Sequence, residues 1–150
     1  MKNLFNSEHR KELIKKIDSL KPDLKPIWGR MHINQNLRHM SLAFQIPLGT
    51  LNPTIGKLSP LPKWLFKLLL LNRSLPKEKA ETFKEMNMIE NMVNPKIFEA
   101  EKNNLKAMIE TFVIAKALIP INKVAGKFSK ADWGKLNWNH TNHHLRQFGV

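Results

Sequence analysis

Cysteine is absent from the 150-residue chain. Its absence excludes a disulfide framework, a thiolate metal ligand and a cysteine nucleophile. A chain without disulfides suits a reducing compartment, and we expect a cytoplasmic protein. With 42% hydrophobic residues, the sequence is long and apolar enough to fold as a single domain over residues 1–150 around a substantial core.

Long hydrophobic runs are also missing. The most apolar stretch, Leu61 to Leu71, is interrupted by Lys63 and Lys67, and it is much shorter than the roughly 20 residues that span a bilayer. The N-terminal segment, MKNLFNSEHRKEL, has no apolar run of signal-peptide length. We therefore expect no membrane partner.

Acidic residues are few, at 12 against 25 lysines and arginines, which gives a net charge of +13. A surface this basic attracts polyanions, and nucleic acid or a membrane surface is the usual inference. The lysines are scattered through every segment, however, and no nucleic-acid-binding motif accompanies them. The pattern favours a solvated basic surface and makes polyanion binding the weaker interpretation.

Helical periodicity is the main structural signal, and it predicts an all-α bundle with a long connection between the second and third long helices. That connection, residues 46–94, contains a short helix beginning at Trp64. Its leucines would cover an open end of the bundle or form a homodimer contact. No strand is expected, and residues 121–128 are predicted to be a loop. The predicted long helices are Glu8 to Leu20 with Ser7 as N-cap, Ile33 to Gln45, Asn94 to Leu118 with Pro95 at its first position, and a last helix capped by Ser129 and Asp132 and stopped by Gly149.

Three of the six histidines lie inside the last predicted helix, within the five-residue stretch 140–144. His140 and His144 are four apart, a spacing that places two imidazoles on one helical face, where both can bind one ion. His39 is the candidate for a third ligand because it lies in another periodic segment, whereas His9 is in a lysine-rich turn and His32 precedes the helix. The competing interpretation is that these histidines are buried groups satisfied by hydrogen bonds.

The residues around these histidines resemble a domain-of-unknown-function branch of the DinB-like superfamily. Residues 28–40, WGRMHINQNLRHM, carry its W-G-x-M and Q-x-L-x-H patterns, and the ending HTNHHLRQFG is similar to its H-x-x-H-H-L-R-Q-F-G. The likeness covers nearly the whole chain, and the second motif is the more specific. The matching positions are Trp28, Gly29, Met31, Gln35, Leu37 and His39, then His140, His143, His144, Leu145, Arg146, Gln147, Phe148 and Gly149.

This resemblance implies a four-helix bundle that holds a metal with one histidine from the second long helix and two from the last. Carried over by position, the ligands are His39, His140 and His144, and zinc or nickel is the favoured divalent ion. The implied function is a metal-dependent transferase or hydrolase acting on an unknown small molecule. Because the chain lacks cysteine, any thiol would come from a cosubstrate. The alternative is a non-catalytic basic bundle, an interaction or polyanion-binding protein whose histidines are structural.

Three more residues of the ending are candidates for roles beside the ligands. His143 is a candidate general base, or otherwise a hydrogen-bonding group between helices. Arg146 would bind an anionic substrate or form a salt bridge across a subunit boundary. Gln147 lies one turn beyond His144 on the same side of the helix and would orient a ring or a water.

The chain departs from the pattern of this branch at several positions. Residues 122–126, NKVAG, replace the usual histidine-proline and phenylalanine-glycine pairs before the last helix. Asn142 occupies a position where aspartate is common, and Asn36 one where an apolar residue is usual. Metal-bound histidines normally donate their second ring N–H to a carboxylate, carbonyl or water. Here we expect a carbonyl or an amide to accept it.

Overall fold

The computed structural model describes residues 2–55, 60–72 and 82–150, so part of the long connection, 56–59 and 73–81, lies outside the described residues. The described ranges form five α-helices, a 3₁₀ turn and one short antiparallel hairpin, which confirms the all-α class. The elements are α1 (Ser7–Asp18), α2 (Ile33–Leu48), α3 (Lys63–Asn72), the 3₁₀ turn (Lys84–Met86), α4 (Phe98–Ile114), β1 (Ile121–Asn122), β2 (Gly126–Lys127) and α5 (Lys130–Arg146).

The first helix begins one residue earlier than its sequence predicts. Asn6, not Ser7, is the N-cap, and its side-chain oxygen accepts hydrogen bonds from the backbone amides of Glu8 and His9, both at 3.0 Å. An Asn carbonyl satisfies two otherwise unpaired amides of the first turn, so it competes well with a neighbouring serine.

The fourth helix is shorter than predicted at its N-terminus, because it begins at Phe98 rather than at Pro95. The preceding carbonyls are bonded to the start of α2: Asn34 Nδ2 donates to Pro95 O at 3.0 Å, and Gln35 Nε2 donates to Val93 O at 2.8 Å. The segment therefore serves as a strap across the start of α2 instead of winding into α4.

Helix α4 also ends before the predicted Leu118, at Ile114. The chain after it is tied to the end of α2, where the amide of Ile119 donates to Pro47 O at 2.9 Å. Helix α2 itself continues beyond the predicted Gln45, through Pro47 to Leu48. It ends at Gly49, whose φ of 78° is the left-handed conformation that glycine adopts without strain.

The predicted loop before the last helix contains a two-residue hairpin because Asn122 closes its turn. The Asn122 side-chain oxygen accepts from the amides of Val124 and Ala125 at 3.0 and 3.1 Å. The start of α5 follows the prediction: Ser129 Oγ accepts from the Asp132 amide at 3.1 Å, and Asp132 Oδ2 accepts from the Ser129 amide at 2.9 Å. This reciprocal capping box fixes where the histidine-bearing helix begins.

The core lies among α1, α2, α4 and α5, and α3 packs on α5 and β2. Phe112 of α4 is fully buried and contacts the rings of Phe44 and Phe5, with centroids 5.5 and 5.1 Å away. Trp133 begins the inward face of α5 and donates its ring N–H to Ile119 O at 2.7 Å. These contacts set α2 and α5 side by side, which is the arrangement the site requires.

Candidate metal centre

Three histidines meet where α2 and α5 lie against each other. His39 comes from α2, and His140 and His144 lie one turn apart on α5. His140 Nε2 is 3.2 Å from His39 Nε2 and 3.2 Å from His144 Nε2. One ring nitrogen from each residue lies within 4.8 Å of the other two. The structure thus brings together the three residues that the motifs single out.

The spacing of these nitrogens suits a common ion. Two imidazole nitrogens that each lie about 2.0–2.1 Å from a tetrahedral zinc are separated by roughly 3.3 Å. The two observed separations, both 3.2 Å, are close to that value. No carboxylate joins this group among the described residues, so a divalent ion there would have three neutral protein donors.

His39 is held by a backbone carbonyl. Its Nδ1 lies 2.9 Å from Met86 O, and a carbonyl can only accept a hydrogen bond, so the ring proton is on Nδ1. The lone pair of Nε2 therefore faces the other two rings. Nothing in the sequence pointed to Met86, because a backbone acceptor in the 3₁₀ turn has no side-chain signature.

His144 is held by an amide pair that joins the two helices. Its Nδ1 lies 2.8 Å from Gln147 Oε1 and 3.2 Å from Asn36 Nδ2, and Asn36 Nδ2 donates to Gln147 Oε1 at 2.8 Å. Because Gln147 Oε1 is the closer atom and an amide oxygen can only accept, the ring proton of His144 is on Nδ1. Asn36 is 1% exposed, so this polar contact is inside the protein. The ring N–H of His39 is thus accepted by a backbone carbonyl and that of His144 by a side-chain amide, as expected from the lack of a carboxylate in the motifs.

His140 differs from the other two histidines of the group in how its ring is held. Its Nδ1 is buried and has no hydrogen-bond partner among the described residues, while its Nε2 faces both other rings. With the protons of His39 and His144 on Nδ1, two lone pairs point at His140, and one N–H of His140 can satisfy only one of them. A cation between the three nitrogens would satisfy all of them.

Burial keeps the three rings uncharged. It lowers the pKa of His39, and it lowers the pKa values of His140 and His144 well below the ordinary histidine value. The neighbouring imidazoles of the group lower the pKa values of His140 and His144 further, since each disfavours a second positive charge nearby. Neutral imidazole is the form that binds a metal ion.

The other candidates from the ending lie around the group rather than in it. The ring of His143 meets the ring of His144 edge-on at 5.2 Å and that of Trp28 at 6.2 Å. Burial, followed by the charge of Arg146, lowers the pKa of His143. Arg146 is exposed and forms no ion pair with a described residue.

Gly29 of the first motif lies beside the amide pair formed by Asn36 and Gln147. Gly29 has a φ of 85°, and a Cβ placed on it would lie 2.9 Å from Gln147 Nε2. The amide of Ile27 also donates to Gln147 O at 2.7 Å. The absence of a side chain at position 29 therefore leaves room for the Gln147 amide beside His144.

Other polar side chains of α2, α4 and α5 have partners outside the histidine group. Asn142 accepts a hydrogen bond from Lys16 of α1 at 2.8 Å. Arg38 Nε donates to Glu101 at 2.7 Å, and Glu110 lies 3.9 Å from Arg10. None of them belongs to the histidine group, so the centre is built from imidazoles, amides and a carbonyl.

The family likeness rests on the residues of this chain alone. Its two motifs converge on one site, the first through His39 and Gly29 and the second through His140, His144 and Gln147. Comparison with protein-family models, with curated proteins and with solved structures finds no match to this chain.

Proposed function

We propose that the protein binds one divalent transition-metal ion through His39, His140 and His144 and uses it as a DinB-like metal-dependent enzyme. The observation that carries the proposal is the convergence of three Nε2 atoms, two of them with their lone pairs fixed toward the centre. Imidazole donors suit zinc and nickel, which remain the favoured ions.

Three protein ligands leave a coordination position open, which is typical of catalytic rather than structural sites. A divalent ion held there would act as a Lewis acid and would make a bound water or thiol more acidic. The proposed reaction class is transfer to, or hydrolysis of, a small molecule. Since the chain has no cysteine, a thiol would enter only with a cosubstrate. The DinB-like four-helix bundle is proposed with this function.

The groups around the three histidines have roles in this proposal that follow from their positions. Met86 O and Gln147 hold His39 and His144 with their Nε2 lone pairs inward. His143 is half-buried beside His144 and mostly neutral, so it can accept a proton from a substrate or water. Arg146 is exposed near His143 and can attract the anionic part of a substrate.

The alternative is a non-catalytic basic bundle in which the histidines bond to one another. The 3.2 Å separations are also hydrogen-bond distances, which favours this reading. Against it, the inward lone pairs of His39 and His144 compete for a single N–H of His140. The buried Nδ1 of His140 has no partner among the described residues in either case, so it does not separate the two functions.

Metal content separates the two functions. Untagged protein, stripped with a chelator, reloaded with zinc and dialysed, is expected to retain one equivalent of metal by elemental analysis. Cobalt-loaded protein should show the intense visible absorption of a tetrahedral or five-coordinate site. Protein that retains no metal above a buffer control, and shows only the spectrum of hydrated cobalt, would refute the proposed function and favour the structural alternative.

A further inference from the structure

Helix α3 carries an apolar face that the rest of the described chain leaves exposed. Trp64 and Leu68 lie four residues apart, on one side of the helix, and are 70% and 53% exposed. On the other side, Phe66 and Leu70 pack against the core, and Leu71 is buried. The helix is therefore docked by one side and presents a tryptophan and a leucine to solvent on the other.

Exposed lysines border this face. Lys63 precedes Trp64, and its Cβ lies 3.6 Å from the position of a Cβ on Gly126 in the hairpin, so α3 and the hairpin share one surface. On the hairpin, Ile121 is 47% exposed and pairs with Lys127. We call this surface the α3 face: Lys63, Trp64, Leu68, Ile121 and Lys127.

The acidic group that contacts α3 is already paired with a lysine. Asp132 Oδ2 accepts from Lys67 at 2.8 Å, and Lys67 also donates to Lys127 O at 2.7 Å. Lys63 and Lys127 form no ion pair with a described residue. The α3 face therefore combines large apolar side chains with uncompensated positive charge, in a chain whose net charge is +13.

We propose that the α3 face is the site at which this protein binds an anionic lipid bilayer. An interfacial helix inserts aromatic and aliphatic side chains at the boundary between headgroups and acyl chains while lysines contact anionic headgroups. A second copy of the chain is a poorer occupant, because a symmetric contact would bring the lysines of both copies together. Nucleic acid would pair with the lysines but would leave Trp64, Leu68 and Ile121 without an apolar environment.

This proposal differs from the expectation of no membrane partner, which was drawn from the lack of a spanning segment. Among the described residues, none of the helices has the length and apolar content needed to cross a bilayer. A ten-residue helix that lies in the interface does not need that length. Surface binding of this kind also does not depend on a metal ion at the histidines.

Trp64 provides a native reporter for the experiment. Of the four tryptophans, Trp133 and Trp138 are 2% and 8% exposed and Trp28 is half-buried, whereas Trp64 is 70% exposed. The difference in emission between the parent protein and Trp64→Phe therefore isolates the signal of Trp64. Full-length protein is titrated with vesicles of phosphatidylcholine alone and of phosphatidylcholine mixed with phosphatidylglycerol. We expect a blue shift and binding on the anionic vesicles, weaker by at least about tenfold on the neutral ones and at high salt.

Matched variants test whether the α3 face is responsible. Leu68→Ser and the pair Lys63→Glu with Lys127→Glu are expected to weaken binding by about tenfold or more. The controls are Ile114→Ser, at a site that is 76% exposed on α4, and the pair Lys15→Glu with Lys21→Glu, which changes the net charge equally. These controls should bind nearly as well as the parent protein. Trp64→Phe should retain binding and lose the blue shift.

Four outcomes would overturn the proposal. They are no binding to anionic vesicles, equal losses from the α3-face and control charge pairs, a dimer in light scattering that Leu68→Ser dissociates, and duplex DNA binding that is lost in the same variants. Circular dichroism of each variant confirms that it is folded before binding is compared.

Discussion

His140→Ala is expected to lower the affinity for zinc or cobalt more than 100-fold, because removing a residue that only supports a ligand already costs about 10- to 100-fold. His140 Nε2 is the nitrogen that lies 3.2 Å from both of the others. It is also the ligand whose loss disturbs the protein least, since its Nδ1 has no partner among the described residues. Competition against a chelator of known affinity measures the change.

His143→Ala is the matched control for that variant. His143 lies on the same helix, is half-buried like His140, and its ring contacts His144, yet it is outside the group of converging nitrogens. Its replacement should change metal affinity by less than about tenfold, the lower limit for a residue that supports a ligand. Comparable losses in the two variants would assign the effect to disruption of α5 rather than to a lost ligand.

Gly29→Ala is expected to weaken metal binding about tenfold without touching a ligand. The new Cβ would lie 2.9 Å from Gln147 Nε2, so the Gln147 amide must move. That amide accepts the ring proton of His144 at 2.8 Å, and its movement releases the ring from its inward orientation. Titration of the cobalt spectrum in parent and variant protein measures the effect.

The matched control for Gly29→Ala is Gly49→Ala. Both glycines have a left-handed φ, 85° at Gly29 and 78° at Gly49, so both variants carry similar backbone strain and should lose stability. At Gly49 the nearest atom to the added Cβ belongs to Ile119, at 3.6 Å, which is an ordinary van der Waals contact with a residue outside the histidine group. Gly49→Ala should therefore leave the cobalt affinity of the folded protein unchanged.

A double-mutant cycle checks the route of the effect. If Gly29→Ala acts through Gln147, its effect on metal affinity should largely disappear in a Gln147→Ala background. Fully additive losses would show that position 29 influences the site by another path.

Local patterns predicted the helices that carry the ligands. The Ser129 and Asp132 capping box fixed the start of α5, and the four-residue spacing placed His140 and His144 on one face. These features depend on residues within one or two helical turns, which is the range over which sequence patterns determine structure directly. The placement of His39 opposite them followed from its helix and from the family resemblance.

The supporting contacts were not predictable in the same way. Met86 is 47 positions from His39, and Asn36 is 111 from Gln147, so these contacts exist only after the fold brings the segments together. The predicted start of α4 was wrong for a related reason. The first predicted turn of α4 is not helical, because the side chains of Asn34 and Gln35, about 60 residues away, donate hydrogen bonds to the carbonyls in that segment.

One overlooked signal lay within reach of the sequence. His32 caps α2 in the manner usually seen for serine or threonine: its ring accepts from the Gln35 amide, and Gln35 Oε1 accepts from the His32 amide. The His-x-x-Gln spacing is that of a capping box with imidazole as the acceptor. Because its ring is used in the cap, His32 is not a metal ligand. From the sequence, His32 was set aside only because it precedes the helix.

The most direct measurement is anomalous diffraction from crystals of zinc-loaded protein. We expect one strong peak between α2 and α5, about 2.0–2.1 Å from Nε2 of His39, His140 and His144. No peak at the three nitrogens, or a zinc ion held only by other residues such as His9 or His32, would contradict the proposed metal centre.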